Sequence, residues 1–165
     1  MENIIINDCN LNNKDVSILS TSVRAVLFDN DNILVERHVD GSIILPGSFF
    51  NCPAKELLIK DLAIKLGVSY DESDLTKFLF LNHYQSNYNL DDSINIPRLV
   101  EVDYFFGRFR GIDYVKSLKE NNYSLKLINL DDLIKMTSGS FENDIVNFNN
   151  RETNEALKVY KKVNK

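Results

Sequence analysis

The residues best suited to metal or acid–base chemistry are two carboxylates on one predicted strand. Over residues 98–109, Glu101 and Asp103 alternate with Val100 and Val102, so the two acids point to the same face. Carboxylates two residues apart on a strand can both reach one hard cation, and either can act as a general base. The alternative interpretation is a solvated strand face.

A helix predicted over residues 54–66 carries a third candidate acid. On this helix Asp61 and Lys65 are spaced i,i+4, which predicts an ion pair. Asp61 could instead join Glu101 and Asp103 in a metal or general-base site. The helix itself is indicated by leucines four residues apart, a proline in the first turn and a closing glycine: Leu58, Leu62, Leu66, Pro53 and Gly67.

Strands and helices alternate irregularly along the rest of the chain. A hairpin over 21–28 and 33–38, a loop from 46 to 51, strands over 76–84 and 124–128, and helices starting near 129 and 152 are predicted. This mixture predicts the α+β class. We expect a single domain over residues 16–165, preceded by a flexible lead-in over residues 1–15.

The order of these elements and several short motifs resemble the Nudix superfamily of MutT-like hydrolases over about residues 20–163. The resemblance implies a mixed β-sheet sandwiched between helices. It also implies an activity, the hydrolysis of nucleoside diphosphates linked to another group. Ile44-Leu45-Pro46-Gly47 is similar to the start of the Nudix box, the conserved sequence motif of the family. Near the end of the box, the matching residues are Leu62, Leu66, Gly67 and Val68. Outside the box, the segments 98–106 and 127–133 resemble later elements of the family.

The box itself departs from the family pattern, G-x5-E-x7-R-E-U-x-E-E-x-G-U with U a bulky aliphatic residue. Its acids hold the Mg²⁺ or Mn²⁺ that neutralises charge on the phosphate oxygens. Counted back from the last glycine, the paired glutamates are replaced by Ile64 and Lys65, and the Arg-Glu pair by Lys60 and Asp61. The first glutamate is replaced by Cys52. The box is therefore degenerate.

The resemblance leaves two alternatives for the cofactor. An active enzyme would use Mg²⁺ or Mn²⁺, with Asp61 and Glu101 as metal ligands and Asp103 as a further catalytic residue. A protein without hydrolysis would need no cofactor. At an effective dielectric constant near 20, a divalent cation about 4 Å from Lys65 would meet roughly 8 kcal/mol of repulsion.

The loop before the box helix is a candidate substrate site. Aromatic rings there and on the following strand could stack a nucleobase, or the phenylalanines could plug the pocket. The candidate substrate-binding residues are Gly47, Ser48, Phe49, Phe50, Tyr84 and Tyr88.

Three functional hypotheses follow. The first is a Nudix domain that has lost or weakened hydrolysis and binds a nucleotide or another small phosphorylated molecule. The second is an active diphosphatase with a non-consensus site at Asp61, Glu101 and Asp103. The third is a structural module with a filled pocket whose C-terminal helix forms a homodimer.

Composition excludes several other classes. The 165 residues are 44% hydrophobic and carry a net charge of −5 without a basic block, which argues against binding a nucleic-acid polymer. Apolar runs are too short to cross a membrane, and no secretion signal is evident. Cys9 and Cys52 are too few for a disulfide scaffold, so we expect a cytoplasmic protein.

Overall fold

The computed structural model describes residues 1–49, 54–89 and 95–164, with residues 87–89 and 95 described by their backbone alone. The strands are β1 (Glu2–Ile6), β2 (Ile18–Asp29), β3 (Asn32–His38), β4 (Ile43–Ile44), β5 (Gly47–Phe49), β6 (Thr76–Asn89), β7 (Asn95–Arg108) and β8 (Tyr123–Asn129). The helices are α1 (Ala54–Leu66), α2 (Leu130–Met136) and α3 (Asp144–Val163), with a short 3₁₀ turn at Glu72–Asp74.

The strands form one mixed sheet in the order β1-β6-β7-β2-β3-β4, with β5 paired to β2 and β8 paired to β3. β2 runs parallel to β7, but it pairs with β3 only next to their turn, through Phe28 with Ile33 and Asp29 with Asn32. Farther from the turn, β2 pairs with β5 and β3 pairs with β4. The two hairpin strands therefore separate, and the chain crosses from one to the other at Pro46.

Helices cover both faces of this sheet. On one face α1 packs its buried leucines against β2 and its neighbours, through Leu58, Leu62, Leu66, Val23, Ala25, Leu27, Leu34 and Phe105. On the other face α2 and α3 pack on the sheet through Leu133, Ala156, Leu157, Tyr160, Val26, Val35, Val102 and Tyr104. The predicted α+β fold, a mixed β-sheet sandwiched between helices, is confirmed.

Local sequence patterns predicted most elements correctly. The box helix spans the predicted residues 54–66, and Gly67 ends it with a positive φ of 70°, where glycine meets no Cβ penalty. The hairpin is present, and the Asn129 side chain accepts hydrogen bonds from the amides of Asp131 and Asp132 as the N-cap of α2. These features depend on neighbouring residues, which explains why they could be predicted.

Three elements differ from the predictions. Gly47–Phe49, predicted to lie in a loop, pair with β2 as strand β5. Residues 2–6, predicted to lie in a flexible lead-in, form β1, which runs parallel to β6 and buries Ile6. The C-terminal helix begins at Asp144 instead of near 152, because Asn143 caps it and polar residues in its first turns conceal the helical pattern. Within the described ranges, no helix is long and apolar enough to cross a membrane.

Replacing Gly47 with Ala should destabilise the region where β2 and β3 separate. A β-carbon at Gly47 would lie 1.9 Å from the carbonyl oxygen of Val23, so β5 could not keep its pairing with β2. We expect Gly47→Ala to lower the free energy of unfolding by about 3 kcal/mol, measured by urea denaturation. The neighbouring control Ser48→Ala should change it by less than about 0.5 kcal/mol, and an equal loss in both variants would contradict this account.

Candidate functional site

A buried carboxylate lies where β2 and β3 separate. Glu36 follows Leu34 on the face of β3 that α1 covers, and only 3% of it is exposed. Burying a charge without a partner is costly, so a residue of this kind needs compensating groups. The ammonium group of Lys65 on α1 and the His38 ring two residues along the strand supply them.

Three oxygen atoms surround the ammonium group of Lys65. Its Nζ atom lies 2.7 Å from the carbonyl oxygen of Gly47, 3.0 Å from Oε2 of Glu36 and 3.3 Å from Oδ2 of Asp61. The first two oxygens accept hydrogen bonds from Lys65, and the third forms an ion pair with it. We call Lys65, Glu36, Asp61 and Gly47 the ammonium cage. The predicted ion pair between Asp61 and Lys65 is confirmed.

The cage shifts the pKa of its two carboxyls in opposite directions. Burial would raise the pKa of Glu36, but the hydrogen bond from His38 and the charge of Lys65 outweigh burial and hold the pKa below its ordinary value. At Asp61, burial outweighs the attraction of Lys65, so its pKa is raised. The folded structure therefore favours ionisation of Glu36 and disfavours ionisation of Asp61.

An open cleft of about 480 Å³ adjoins the cage. Its walls include the guanidinium groups of Arg24 and Arg98, the imidazole ring of His38, and the aromatic rings of Phe49 and Tyr123. The His38 ring is held by Nε2, 3.0 Å from Oε1 of Glu36, and its centroid lies 5.0 Å from that of Tyr123. Burial, followed by the charge of Glu36, raises the pKa of Tyr123, so its hydroxyl stays protonated.

The predicted substrate-binding residues lie in different places. Gly47, Ser48 and Phe49 line the cleft, and Phe49 is 60% exposed, so its ring does not plug the cleft. Tyr84 lines a second cleft of about 380 Å³ and donates a hydrogen bond from its hydroxyl to Asn13. The predictions for Phe50, for Cys52 and for the side chain of Tyr88 lie outside the described residues.

The predicted acidic site residues are paired with different lysines. Asp61 belongs to the ammonium cage, whereas Asp103 on β7 lies 2.7 Å from Nζ of Lys77. Glu101 lies on the same face of β7 as Asp103, as the strand pattern predicted. On α1, Ile64, at one of the two glutamate positions of the family pattern, is 55% exposed. Across residues 1–49, 54–89 and 95–164, no group of three His, Cys, Asp or Glu side chains is arranged to hold a metal ion.

Sequence reasoning missed Arg24, Glu36 and Tyr123 and assigned His38 no functional role. One signal was available in the sequence. Glu36 is a charged residue on β3, and Leu34, two residues earlier on the same face of the strand, is buried in the core. Its partner Lys65 lies 29 residues away in the sequence, so only the tertiary fold brings the two charges together.

Comparison with solved structures shows the fold family. A Nudix hydrolase from Nitrosomonas europaea aligns with a TM-score of 0.59 at 10% identity, over 87% of this chain and 89% of its own. A Caenorhabditis elegans Ap4A hydrolase in a binary complex aligns with a TM-score of 0.54 at 10% identity, over 88% and 96%. The chain therefore has the Nudix fold.

A third structure is the Nudix domain of Shewanella oneidensis NrtR, complexed with ADP-ribose. It aligns with a TM-score of 0.51 at 16% identity, over 90% of this chain and 92% of its own. No family model and no curated protein matches the sequence. At these identities the similarity establishes the fold, and the chemistry has to be argued from the site.

Replacing Lys65 with Met should strongly destabilise the protein at neutral pH. The variant would leave Glu36 and Asp61 without their shared cation, and removing one partner of a buried ion pair costs about 3–5 kcal/mol. The loss, measured by urea denaturation, should shrink toward about pH 4, because protonation removes the uncompensated charges. Lys158→Met, at an exposed position on α3, is the control. A Lys65→Met loss equal to that of the control would contradict the cage.

Glu36 should contribute to acid unfolding. Its pKa in the folded protein lies below its ordinary value of 4.5, so its ionisation stabilises the fold above that pH. This contribution is lost as the pH falls through the lower, folded-state pKa. We therefore expect the difference in unfolding free energy between the native protein and Glu36→Gln to shrink from about pH 6 to about pH 3. A difference that does not change with pH would be inconsistent with the lowered pKa.

Proposed function

We propose that this Nudix-fold protein binds a small phosphorylated, nucleotide-like molecule without metal-dependent hydrolysis. The observation that carries the proposal is the ammonium cage, in which Lys65 binds the carboxylate and carbonyl oxygens next to the cleft. These are oxygens of the kind that Mg²⁺ and Mn²⁺ require as ligands. Here the ammonium group of Lys65 occupies the place of a cation beside these oxygens.

The cage does not fit a divalent cation. Two of its oxygens already accept hydrogen bonds from Lys65, and the Asp61 carboxylate pairs with the same charge. A divalent cation about 4 Å from that ammonium would meet roughly 8 kcal/mol of repulsion at an effective dielectric constant of 20. Lys65 is only 16% exposed and is held on three sides, which opposes its swinging away. The cage therefore supports lost or strongly weakened hydrolysis.

The cleft supports a phosphorylated ligand. Guanidinium groups such as those of Arg24 and Arg98 match phosphate oxygens in charge and geometry, and rings such as Phe49 and Tyr123 can stack on a base. The volume of about 480 Å³ is within the range of small-molecule sites. Because the NrtR Nudix domain of the same fold binds ADP-ribose, ADP-ribose is the first ligand to test.

Each of the two alternative functions meets an obstacle in the structure. An active diphosphatase based on Asp61, Glu101 and Asp103 would have to release two of these acids from Lys65 and Lys77. A structural module with a filled pocket does not match the open cleft beside Lys65. Ligand binding without metal requires neither the release of these acids nor a filled pocket.

Calorimetric titration tests the proposal directly. We expect no binding of Mg²⁺ or Mn²⁺ to the native protein, no phosphate release from a panel of nucleoside diphosphate compounds, and binding of ADP-ribose in the presence of EDTA. Lys65→Glu and the milder Lys65→Gln should gain Mn²⁺ binding, because each frees the cage oxygens and adds another. Lys158→Glu is the matched control and should gain none.

Two results would overturn the proposal. Metal-dependent turnover by the native protein would show that catalysis survives and would direct attention to Asp61, Glu101 and Asp103. Failure of ADP-ribose and the other nucleotide compounds to bind would exclude the ligand class.

A further inference from the structure

A chain of buried and partly buried polar side chains connects the cleft to α3. Nε of Arg98, in the cleft wall, donates to Oε1 of Gln85 at 2.7 Å. Nε2 of Gln85 donates to Oε1 of Glu152 at 3.1 Å, and Nδ1 of His83 lies 2.7 Å from the same oxygen. We call Arg98, Gln85, Glu152 and His83 the Arg98 relay.

The relay fixes the orientation of each of its members. An ionised Glu152 only accepts hydrogen bonds, so the amide nitrogen of Gln85 must face it and the amide oxygen must face Arg98. The same carboxylate requires His83 to present an N–H at Nδ1. The direction in which Arg98 donates from Nε is therefore set by a carboxylate on a different element, α3.

Two side chains of the relay are polar groups buried among apolar residues, which is energetically unfavourable. Gln85 is 1% exposed and His83 2% exposed, and their neighbours on the same face include the buried residues Ile6 and Val100. Replacing such a network with apolar side chains is often neutral or stabilising, so stability alone does not explain it. Departures from local packing rules are expected mainly where they support a function.

Arg98 and Arg24, both in the cleft wall, lie far apart along their strands. On the neighbouring strands β2 and β7, Ile18 pairs with Arg98 and Arg24 pairs with Tyr104. A strand rises about 3.3 Å per residue, so the six-residue offset places the two arginine Cα atoms roughly 20 Å apart. Both side chains line the same cleft, which they reach from these separated backbone positions.

We propose that Gln85 and Glu152 are positioning residues for Arg98, and that Arg98 recognises a part of the ligand far from the group that Arg24 binds. The inference rests on the proposed function and deepens it. It assigns the cleft to an elongated ligand with separated anionic or carbonyl-bearing ends. A lone phosphate group would engage only one end.

The test compares ligands of different length on matched variants. Calorimetric titrations would use inorganic phosphate, AMP and ADP-ribose with the native protein, Gln85→Met, Arg98→Lys and Asn154→Leu. Asn154→Leu is the control, because Asn154 is another buried amide donor, bonded to Ile134 and Thr137 on the α2 side and not to Arg98. Thermal unfolding of each variant would confirm that it is folded.

We expect Gln85→Met and Arg98→Lys to weaken ADP-ribose binding by about tenfold, the effect of losing one hydrogen bond to a charged group. Phosphate and AMP binding should change by less than twofold, and Asn154→Leu should leave all three affinities unchanged. Arg98→Lys needs no new apolar side chain in the core, so it keeps the test informative if Gln85→Met does not fold.

Two outcomes would overturn the inference, and they differ from failure of the proposed function. If ADP-ribose binds the native protein and both relay variants equally well, Arg98 is not a recognition residue. If every affinity falls by the same factor in Gln85→Met and Asn154→Leu, the relay is only structural. If none of the compounds binds the native protein, the proposed function itself fails.

Discussion

The charge of Lys65 is the interaction on which the rest of the site depends. It lets Glu36 remain ionised in the core and compensates Asp61, and it binds the carbonyl of Gly47 where the chain crosses from β3 to β2. The same ammonium therefore balances two acids and links α1 to β5 in the cleft wall. A neutral residue at this position would balance neither acid.

The separation of β2 from β3 creates the room in which these contacts form. Short strands take over the pairing on either side, β5 on β2 and β4 on β3, so the backbone groups of the diverging strands stay hydrogen-bonded. The chain uses two polar residues of α3 to support this arrangement from the other face. Asn150 accepts from the amide of Ile43, and Thr153 donates to its carbonyl oxygen.

Sequence patterns predicted what depends on neighbouring residues and missed what depends on tertiary contacts. The box helix, its closing Gly67 and the pair of Asp61 with Lys65 are all local, and all were predicted correctly. The presence of isoleucine and lysine at positions 64 and 65 was also readable from the sequence. The role that Lys65 takes on was not, because Glu36 and the carbonyl of Gly47 reach it only after the sheet has formed. For the same reason Gln85 and Glu152, 67 residues apart, could not be connected to Arg98.

The edge strand β1 also bears on how the chain acquires its structure. Its residues Glu2–Ile6 run parallel to Leu79–His83, so β1 has no partner until β6 is in place. Parallel pairings between segments this far apart close a long loop and form slowly compared with hairpins. We therefore expect β1 to pair with β6 after the central strands have formed. This pairing buries Ile6 beside His83. Assembly of the sheet would then end next to the relay that holds Arg98.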